Sequence, residues 1–296
     1  METLTVSKHL AGIVPIANNE SFFNMPWHDC LMPIGHNYLA IEKAIFDCAL
    51  AGCDTIWVIG HMNMQPLIRK RVGEMIFDPL KSYSNKEMVY KRHDIEAKRK
   101  EIQIYYVPIH PKDRDRRDSL AYSVLYAASI AYKTCFDISK WASPDVFFCS
   151  FPYGIVSEES MYEFRKYANK KKSTLMVHEG KTVKDSLMLP FTFTYKDFVR
   201  CKNHLNEYAV SVWENAKNDD SDLPTMHYSI KDVFNCLDTS ESSLVQCSWF
   251  HQIDNWNGYK SFLNSEHSEQ IKMRTDLWCP ETRSALDFED KKDDGS

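Results

Sequence analysis

Polar side chains that could bind phosphate lie beside the apolar runs of this sequence. Asn18 and Asn19 come directly after the apolar run Ala11–Ile16, and the charged segment Lys112–Arg117 comes just before Ser119. Ligands of open α/β sheets bind where strands end, and asparagine tolerates the left-handed backbone angles of a tight turn. The arginines of Lys112–Arg117 could approach a triphosphate, although their alternation with aspartates is equally typical of a solvated loop.

The apolar runs indicate alternating strands and helices that would position these side chains. Apolar stripes at helical spacing and short β-branched runs distinguish the two types of element. We predict strands at Ala11–Ile16, Thr55–Ile59, Ile102–Ile109, Val146–Cys149, Leu175–Val177, Phe191–Thr194 and Ser243–Phe250, and helices at Tyr38–Ala51, Pro66–Ile76, Leu120–Ala131, Glu158–Lys170, Asp197–Lys217, Ile230–Leu237 and Asn257–Asn264. The charged segment Lys86–Glu101 is expected to be an exposed helix or loop.

The order of these elements predicts the fold class. A strand, a helix and a second strand imply a right-handed crossover and parallel pairing. We therefore expect an α/β protein, a three-layer α/β/α fold with a mixed, mainly parallel central sheet. One domain is predicted over residues 1–280, and the acidic segment 281–296 is predicted to be a disordered tail because it is too polar to bury.

Composition limits the class of protein further. The 296 residues are 44% hydrophobic and 26% charged, as in globular proteins, and the net charge of −5 gives no sign of a dedicated nucleic-acid binder. No apolar run approaches the roughly 18 residues of a membrane span, so we expect a cytoplasmic protein that does not use a membrane. Nine cysteines without a CxxC pair favour reduced, mostly buried thiols over a zinc site or disulfide framework.

The segment Gly12–Gly60 resembles the opening of the sugar-1-phosphate nucleotidyltransferases. In that family a strand leads to a glycine-rich loop, a K-P-L-L-P-[IV] segment, a helix that ends in A-G, and a second strand. Asp29–Ile34 (DCLMPI), Ala51-Gly52 and Thr55–Ile59 (TIWVI) occupy the last three places in that order.

Four later segments are similar to family motifs in the same order. Asp118–Val124 (DSLAYSV) resembles the G-[LT]-A segment, and Val146–Ser157 resembles the strand that ends in the G-D metal motif. Val177–Lys181 (VHEGK) resembles the E-[EK]-K-P region, and Trp249–Leu263 resembles the closing W-x-D-[IT]-G-T segment. The resemblance covers about Gly12–Asn264, and the shared order is stronger than any one motif.

The resemblance implies a reaction and a set of site residues. A sugar-1-phosphate oxygen would attack the α-phosphate of a nucleoside triphosphate, with Mg²⁺ as cofactor and with catalysis by positioning and charge neutralisation. By this resemblance Lys181 would be the catalytic cation at the sugar phosphate, and Asp254 would be a ligand of Mg²⁺. The nucleotide-binding candidates are Ala17, Asn18, Asn19, Arg117, Asp118 and Ser119.

The sequence departs from the family at three places that handle charge. A segment without glycine or arginine, Ala17–Phe23, replaces the G-G-x-G-T-R loop, and Asp29 replaces the lysine of K-P-L-L-P. The first metal aspartate falls on Ser150 or Phe151, neither of which binds Mg²⁺ well. The alternative hypothesis is therefore a catalytically inactive scaffold of the same fold, acting as a binding or structural module in a viral or multi-subunit assembly.

Structural roles also fit the candidate residues. Asp254 could cap the helix at Asn257, and Lys181 beside Gly180 could be a solvated turn lysine. The consecutive residues His28–Cys30 suggest a metal or nucleophile site, but neighbouring side chains of an extended segment point apart, which disfavours that interpretation.

Overall fold

The computed structural model describes residues 9–17, 22–82, 99–110, 119–139, 142–168, 172–218, 228–240 and 242–278. Its strands are β1 Leu10–Pro15, β2 Pro33–Gly35, β3 Tyr38–Leu39, β4 Thr55–Gly60, β5 Met75–Ser82, β6 Arg99–Pro108, β7 Val146–Cys149, β8 Gly154–Val156, β9 Thr174–Val177, β10 Phe191–Thr194, β11 Ser243–Gln246 and β12 Phe250–Gln252. Its α-helices are α1 Ala40–Ala51, α2 Gln65–Val72, α3 Leu120–Ile138, α4 Glu158–Ala168, α5 Tyr195–Asn218, α6 Ile230–Phe234, α7 Trp256–Leu263 and α8 Glu266–Gln270. The predicted tail 281–296 lies outside the described residues.

Eight of the strands form one central sheet in the order β11-β9-β10-β7-β1-β4-β6-β5. β10 and β5 run antiparallel to their neighbours, and the remaining strands are parallel to one another. Every residue of β1 is buried, as expected of a central strand covered by helices on both faces. The predicted mixed, mainly parallel sheet is confirmed.

Helices cover the sheet in two groups. α1 packs on α4, whereas α3 packs on α5 and α6, and both α1 and α3 contact the central strand β1. α1 ends at Gly52, which has the left-handed φ of +88° that was predicted for its C-cap and donates its N–H to the Ala49 carbonyl. The strand–helix–strand unit predicted over the first 60 residues is therefore present.

The segment Pro66–Ile76, predicted as a single helix, contains a helix and the start of a strand. α2 ends at Val72, because Gly73 adopts a φ of +87° and leaves the helical path. Met75 then begins β5, which pairs antiparallel with β6 at Gln103. Of the predicted exposed segment Lys86–Glu101, the last three residues belong to β6, and 86–98 lie outside the described residues.

The predicted strand Ser243–Phe250 is also divided. Ser243–Gln246 pairs with β9 in the central sheet, whereas Phe250–Gln252 pairs with β8 in a separate two-stranded sheet. The intervening residues turn the chain, since Cys247 donates its N–H to the Val177 carbonyl and its thiol to the Trp249 carbonyl. Because the predicted strand is split into β11 and β12, the chain that leaves β12 runs toward the end of β7.

Across the described part of the chain, no helix is both long and apolar enough to cross a membrane. The eight cysteines described are free thiols, six of them buried, which confirms the predicted state for those residues. Cys279 lies outside the described residues.

Candidate functional site

The carboxyl ends of β1, β4, β6 and β7 are joined by backbone hydrogen bonds. The N–H groups of Ile16 and Ala17, just after β1, both donate to the Ile59 carbonyl of β4, at 2.9 and 3.2 Å. The Ser150 N–H, just after β7, donates to the Ile13 carbonyl of β1 at 3.0 Å, and Ile109 after β6 donates to Gly60. Because carboxyl ends of parallel strands are the usual ligand-binding edge, this join defines the candidate site.

Two of the six predicted nucleotide-binding residues, Ala17 and Ser119, belong to the described part of the chain. Ala17 is fully buried at the end of β1. Asn18, Asn19, Arg117 and Asp118 lie outside the described residues.

Ser119 has a structural role at the start of α3. Its hydroxyl caps α3 by accepting the N–H of Tyr122 at 3.2 Å, and its carbonyl accepts the hydroxyl of Ser123 at 2.9 Å. The side chain is 8% exposed. The N-terminus of α3 follows β6, so it faces the site edge and could attract an anion there.

Two buried hydroxyl groups follow β7. Neither the hydroxyl of Ser150 nor that of Tyr153 has a hydrogen-bond partner within the described residues, although both residues are completely buried. Burial raises the pKa of Tyr153 well above its ordinary value, and the neighbouring Cys30 and Asp29 raise it further, so the phenol stays neutral. Buried polar groups nearly always have a partner, so two buried hydroxyls without one among the described residues are unusual.

Asp254 reaches the same edge from β12. The N–H of Ile253 donates to the Tyr153 carbonyl at 2.8 Å, which places Asp254 close to the end of β7. Its carboxylate accepts hydrogen bonds from the amides of Gln252 at 2.6 Å and Asn255 at 2.8 Å. Asn255, not Asp254, caps α7, by accepting a backbone N–H at 2.9 Å.

The residues described here do not form the Mg²⁺ site that the resemblance implies. Asp254 supplies one carboxylate, and Ser150 and Phe151 stand where the second would be. No group of three or more His, Cys, Asp or Glu side chains in the described segments is placed to hold a metal ion. We therefore derive no step through Mg²⁺.

Lys181 lies in an exposed hairpin turn after β9. His178 and Lys181 exchange backbone hydrogen bonds of 3.0 and 2.9 Å across Glu179 and Gly180, whose φ angles are +49° and +77°. The His178 ring lies 5.6 Å from the ring of Phe250 in β12, so the turn packs against the strand that leads to Asp254. β10 separates β9 from β7 in the sheet, so Lys181 is at the flank of the edge and not at the end of β7.

Asp29 has a structural role that explains its replacement of the family lysine. Its carboxylate is 5% exposed and accepts the N–H of Phe22, the first residue of the described segment 22–82, at 2.5 Å. The ring of Phe22 packs edge-on against Tyr153, with centroids 4.9 Å apart. His28 accepts the Cys30 N–H, and burial raises the pKa of the Cys30 thiol, so the structure does not support a nucleophile at His28–Cys30.

A histidine cluster at this edge was missed by sequence analysis. His251 Nε2 and His267 Nδ1 are 2.9 Å apart, and the His267 ring stacks on Trp249 at a centroid distance of 4.5 Å. Burial lowers the pKa of His251, and the neighbouring His267 and His178 lower it further. His178 and His251 lie inside the two motifs quoted above, but only the fold brings them near His267.

Comparison with known proteins supports the fold. No family model and no curated sequence matches this chain. A protein of Bacillus anthracis described as a glucose-1-phosphate thymidylyltransferase, solved with a sucrose, superposes with a TM-score of 0.52 at 11% identity, covering 89% of this chain and 97% of that one. A UDP-glucose pyrophosphorylase complexed with UDP-glucose gives 0.51 at 11% identity, covering 88% and 99%. A UTP-bound UGPase from Acinetobacter baumannii gives 0.50 at 11% identity, covering 86% and 92%. The chain therefore has the nucleotide-diphospho-sugar transferase fold.

Proposed function

We propose that this chain is a nucleotidyltransferase-like protein that binds a nucleoside triphosphate and a sugar phosphate at the carboxyl edge of β1, β4 and β7. The observation that carries the proposal is the hydrogen-bonded join that holds Ala17 after β1 and Ser150 after β7, together with the Ile253–Tyr153 bond that brings Asp254 toward the end of β7.

The proposed reaction is nucleotidyl transfer. An oxygen of the sugar phosphate attacks the α-phosphorus, its bond to the β-phosphate oxygen breaks, and pyrophosphate leaves. Backbone N–H groups after Ala17 and the N-terminus of α3 at Ser119 would hold the triphosphate. The exposed ammonium of Lys181 would offset charge on the sugar phosphate, with Arg117 as a further cation.

One observation favours a second candidate function, binding without transfer. Ser150 stands where the resemblance expects a metal carboxylate, and Asp29 is buried in place of a lysine. Phosphoryl transfer depends on neutralising the charge that develops during the reaction. An edge without the expected carboxylate and lysine would therefore lose more of the transfer rate than of the affinity for the ligand.

Thermal shift and pyrophosphate release together test both candidates. The full chain is heated with each nucleoside triphosphate and with UDP-glucose, in Mg²⁺ and in EDTA. A ligand at 100 times its Kd should stabilise by about 2.7 kcal/mol, a Tm rise of roughly 4 °C for a chain of this size. Pyrophosphate release on adding a sugar-1-phosphate would establish transfer, and a shift without release would establish binding alone. No shift with any of these ligands would refute both.

Matched variants locate the site. Asp254→Asn and Lys181→Ala should reduce the ligand-induced shift, whereas Asp137→Asn and Lys133→Ala should leave it unchanged. The two control residues are exposed on α3 toward the opposite edge, where Tyr132 of α3 stacks on Tyr195. Equal effects of site and control variants would show that the ligand binds elsewhere.

A further inference from the structure

Two cysteines from different helical elements lie in contact away from the candidate site. Cys201 is fully buried on α5, and Cys236 is partly exposed in the turn after α6. Their sulfur atoms are 3.2 Å apart, close enough for one thiol to donate a hydrogen bond to the other. A disulfide needs about 2.05 Å between the sulfurs, so only a small approach separates the two thiols from a covalent bond.

The surroundings of Cys236 favour its thiolate. The hydrogen bond with Cys201 lowers the pKa of Cys236, burial raises it, and positive charge at His204 and Arg200 lowers it; together these effects bring the pKa of Cys236 to about 7. The same hydrogen bond, together with burial, raises the pKa of Cys201. The pair therefore has one exposed, nucleophilic sulfur and one buried sulfur that remains a thiol until its partner is oxidised.

A second close pair of thiols shows why contact alone is insufficient. Cys48 of α1 and Cys53 before β4 are both completely buried beneath β1, and a methyl group added at Gly12 would lie 3.0 Å from each sulfur. Burial raises the pKa of Cys48 well above its ordinary value. An oxidant dissolved in water cannot reach either sulfur of this pair.

We propose that Cys201 and Cys236 form a reversible redox site that hydroperoxides oxidise to an intramolecular disulfide. The Cys236 thiolate attacks one oxygen of hydrogen peroxide, the O–O bond breaks, and the departing hydroxide takes a proton to leave as water. The resulting sulfenic acid is attacked by the Cys201 sulfur, the S–O bond breaks, and a second water leaves with the Cys201 proton. Two thiols are oxidised and one peroxide is reduced to two waters.

The disulfide would connect two elements that lie 35 residues apart in sequence. Leu237, next to Cys236, accepts a hydrogen bond of 3.1 Å from the Lys184 ammonium, three residues after Lys181. The Cys201–Cys236 pair is therefore connected, through Leu237 and Lys184, to the segment that follows the Lys181 turn. The oxidation itself does not depend on the proposed nucleotide function.

Peptide mapping of the intact, folded protein tests the proposal. After treatment with hydrogen peroxide and digestion without reductant, mass spectrometry should find a Cys201–Cys236 linked peptide, and two thiols per chain should be lost. Dithiothreitol should restore both thiols, and Cys48 and Cys53 should remain reduced throughout. Absence of the linked peptide under conditions that oxidise other thiols, or a Cys236–Cys236 link between chains, would overturn the proposal.

Single variants separate the two roles. In Cys201→Ser, peroxide with dimedone should trap a sulfenic acid at Cys236 with no disulfide, and in Cys236→Ser the buried Cys201 should stay unmodified. Alkylation of Cys236 by iodoacetamide at pH 7 should slow several-fold in Cys201→Ala, since the thiolate loses its hydrogen bond. Unchanged alkylation, or rapid oxidation of Cys201 without Cys236, would contradict the assigned roles. The peptide map of the unsubstituted chain remains decisive if a variant does not fold.

Discussion

Replacing Arg165 with methionine should destabilise the protein far more than any other single loss of charge on α4. The Arg165 guanidinium makes a two-pronged contact with the Asp78 carboxylate of β5, at 3.0 and 2.8 Å. It also donates to the carbonyls of Ala49 and Leu50 at the end of α1, at 3.3 and 3.0 Å. One side chain thus joins a sheet strand, a helix end and a second helix.

The magnitude follows from burial. The Asp78 side chain is completely buried and Arg165 is 22% exposed, so methionine would leave a carboxylate in the interior without its cation. Removing one partner of a buried pair costs about 3–5 kcal/mol, and the partial exposure of Arg165 favours the lower end. A loss of about 3 kcal/mol lowers Tm by roughly 5 °C in a chain of this size.

Urea denaturation of Arg165→Met measures this loss, and the neighbouring residue supplies the control. Lys166 pairs with Glu163 at 2.5 Å, but these side chains are 63% and 57% exposed, so Lys166→Met should change stability by less than about 0.5 kcal/mol. Adding Asp78→Asn to Arg165→Met should recover part of the loss, because it removes the uncompensated charge. If Arg165→Met costs no more than Lys166→Met, the reasoning from a buried charge is wrong.

Three further outcomes are expected. Gly154→Ala would place a methyl carbon 1.8 Å from the Met188 carbonyl oxygen, and we expect a loss of at least about 2 kcal/mol in urea unfolding. Asn255→Ala removes the N-cap of α7 and should cost about 1 kcal/mol by the same measurement. Because the pKa of His251 is lowered from 6.5, the folded protein binds fewer protons there than the unfolded chain, and Tm should fall as the pH drops below about 6.5. His251→Gln, which ends the ring contact with His267, should make Tm less dependent on pH between 7 and 5, and an unchanged slope would assign the effect to other groups.

Local patterns predicted the first half of the sheet well. The run Ala11–Ile16, the apolar helix ending at Gly52 and the run Thr55–Ile59 each appear as strand, helix and strand within one or two residues. Each element buries its apolar side chains and has a distinct period or terminator, so sequence alone specifies it. Gly73 could have indicated the end of α2. Whether a strand follows this glycine depends on the pairing of β5 with β6, which is not a local property of the sequence.

For the candidate site, the sequence indicated which segments carry the site residues but not the contacts that those residues make. The resemblance predicted Ala17 and Asp254 as site residues; Ala17 lies just after β1 and Asp254 just after β12, and their roles in binding stay predictions. The stacking of Trp249 on His267 and the hydrogen bond from the Phe22 N–H to Asp29 join parts of the chain whose separation carries no periodic signal. Such contacts require the fold, because no local pattern selects the partner.

The departures from the family change the charge of the edge in a consistent way. A lysine there would compensate phosphate charge, and a second carboxylate would hold a cation that does the same. Where these groups are expected, the structure has a buried carboxylate at Asp29 that is used by the Phe22 N–H, and a neutral hydroxyl at Ser150. Asp29 removes positive charge directly, because a carboxylate stands where a lysine is expected. Ser150 removes it indirectly, because a hydroxyl stands where a carboxylate would bind a metal cation. Neutral hydroxyls can still hydrogen-bond a phosphate or a sugar. The affinity for the ligand and the rate of transfer therefore respond differently to these changes. Measuring the two separately distinguishes the candidate functions.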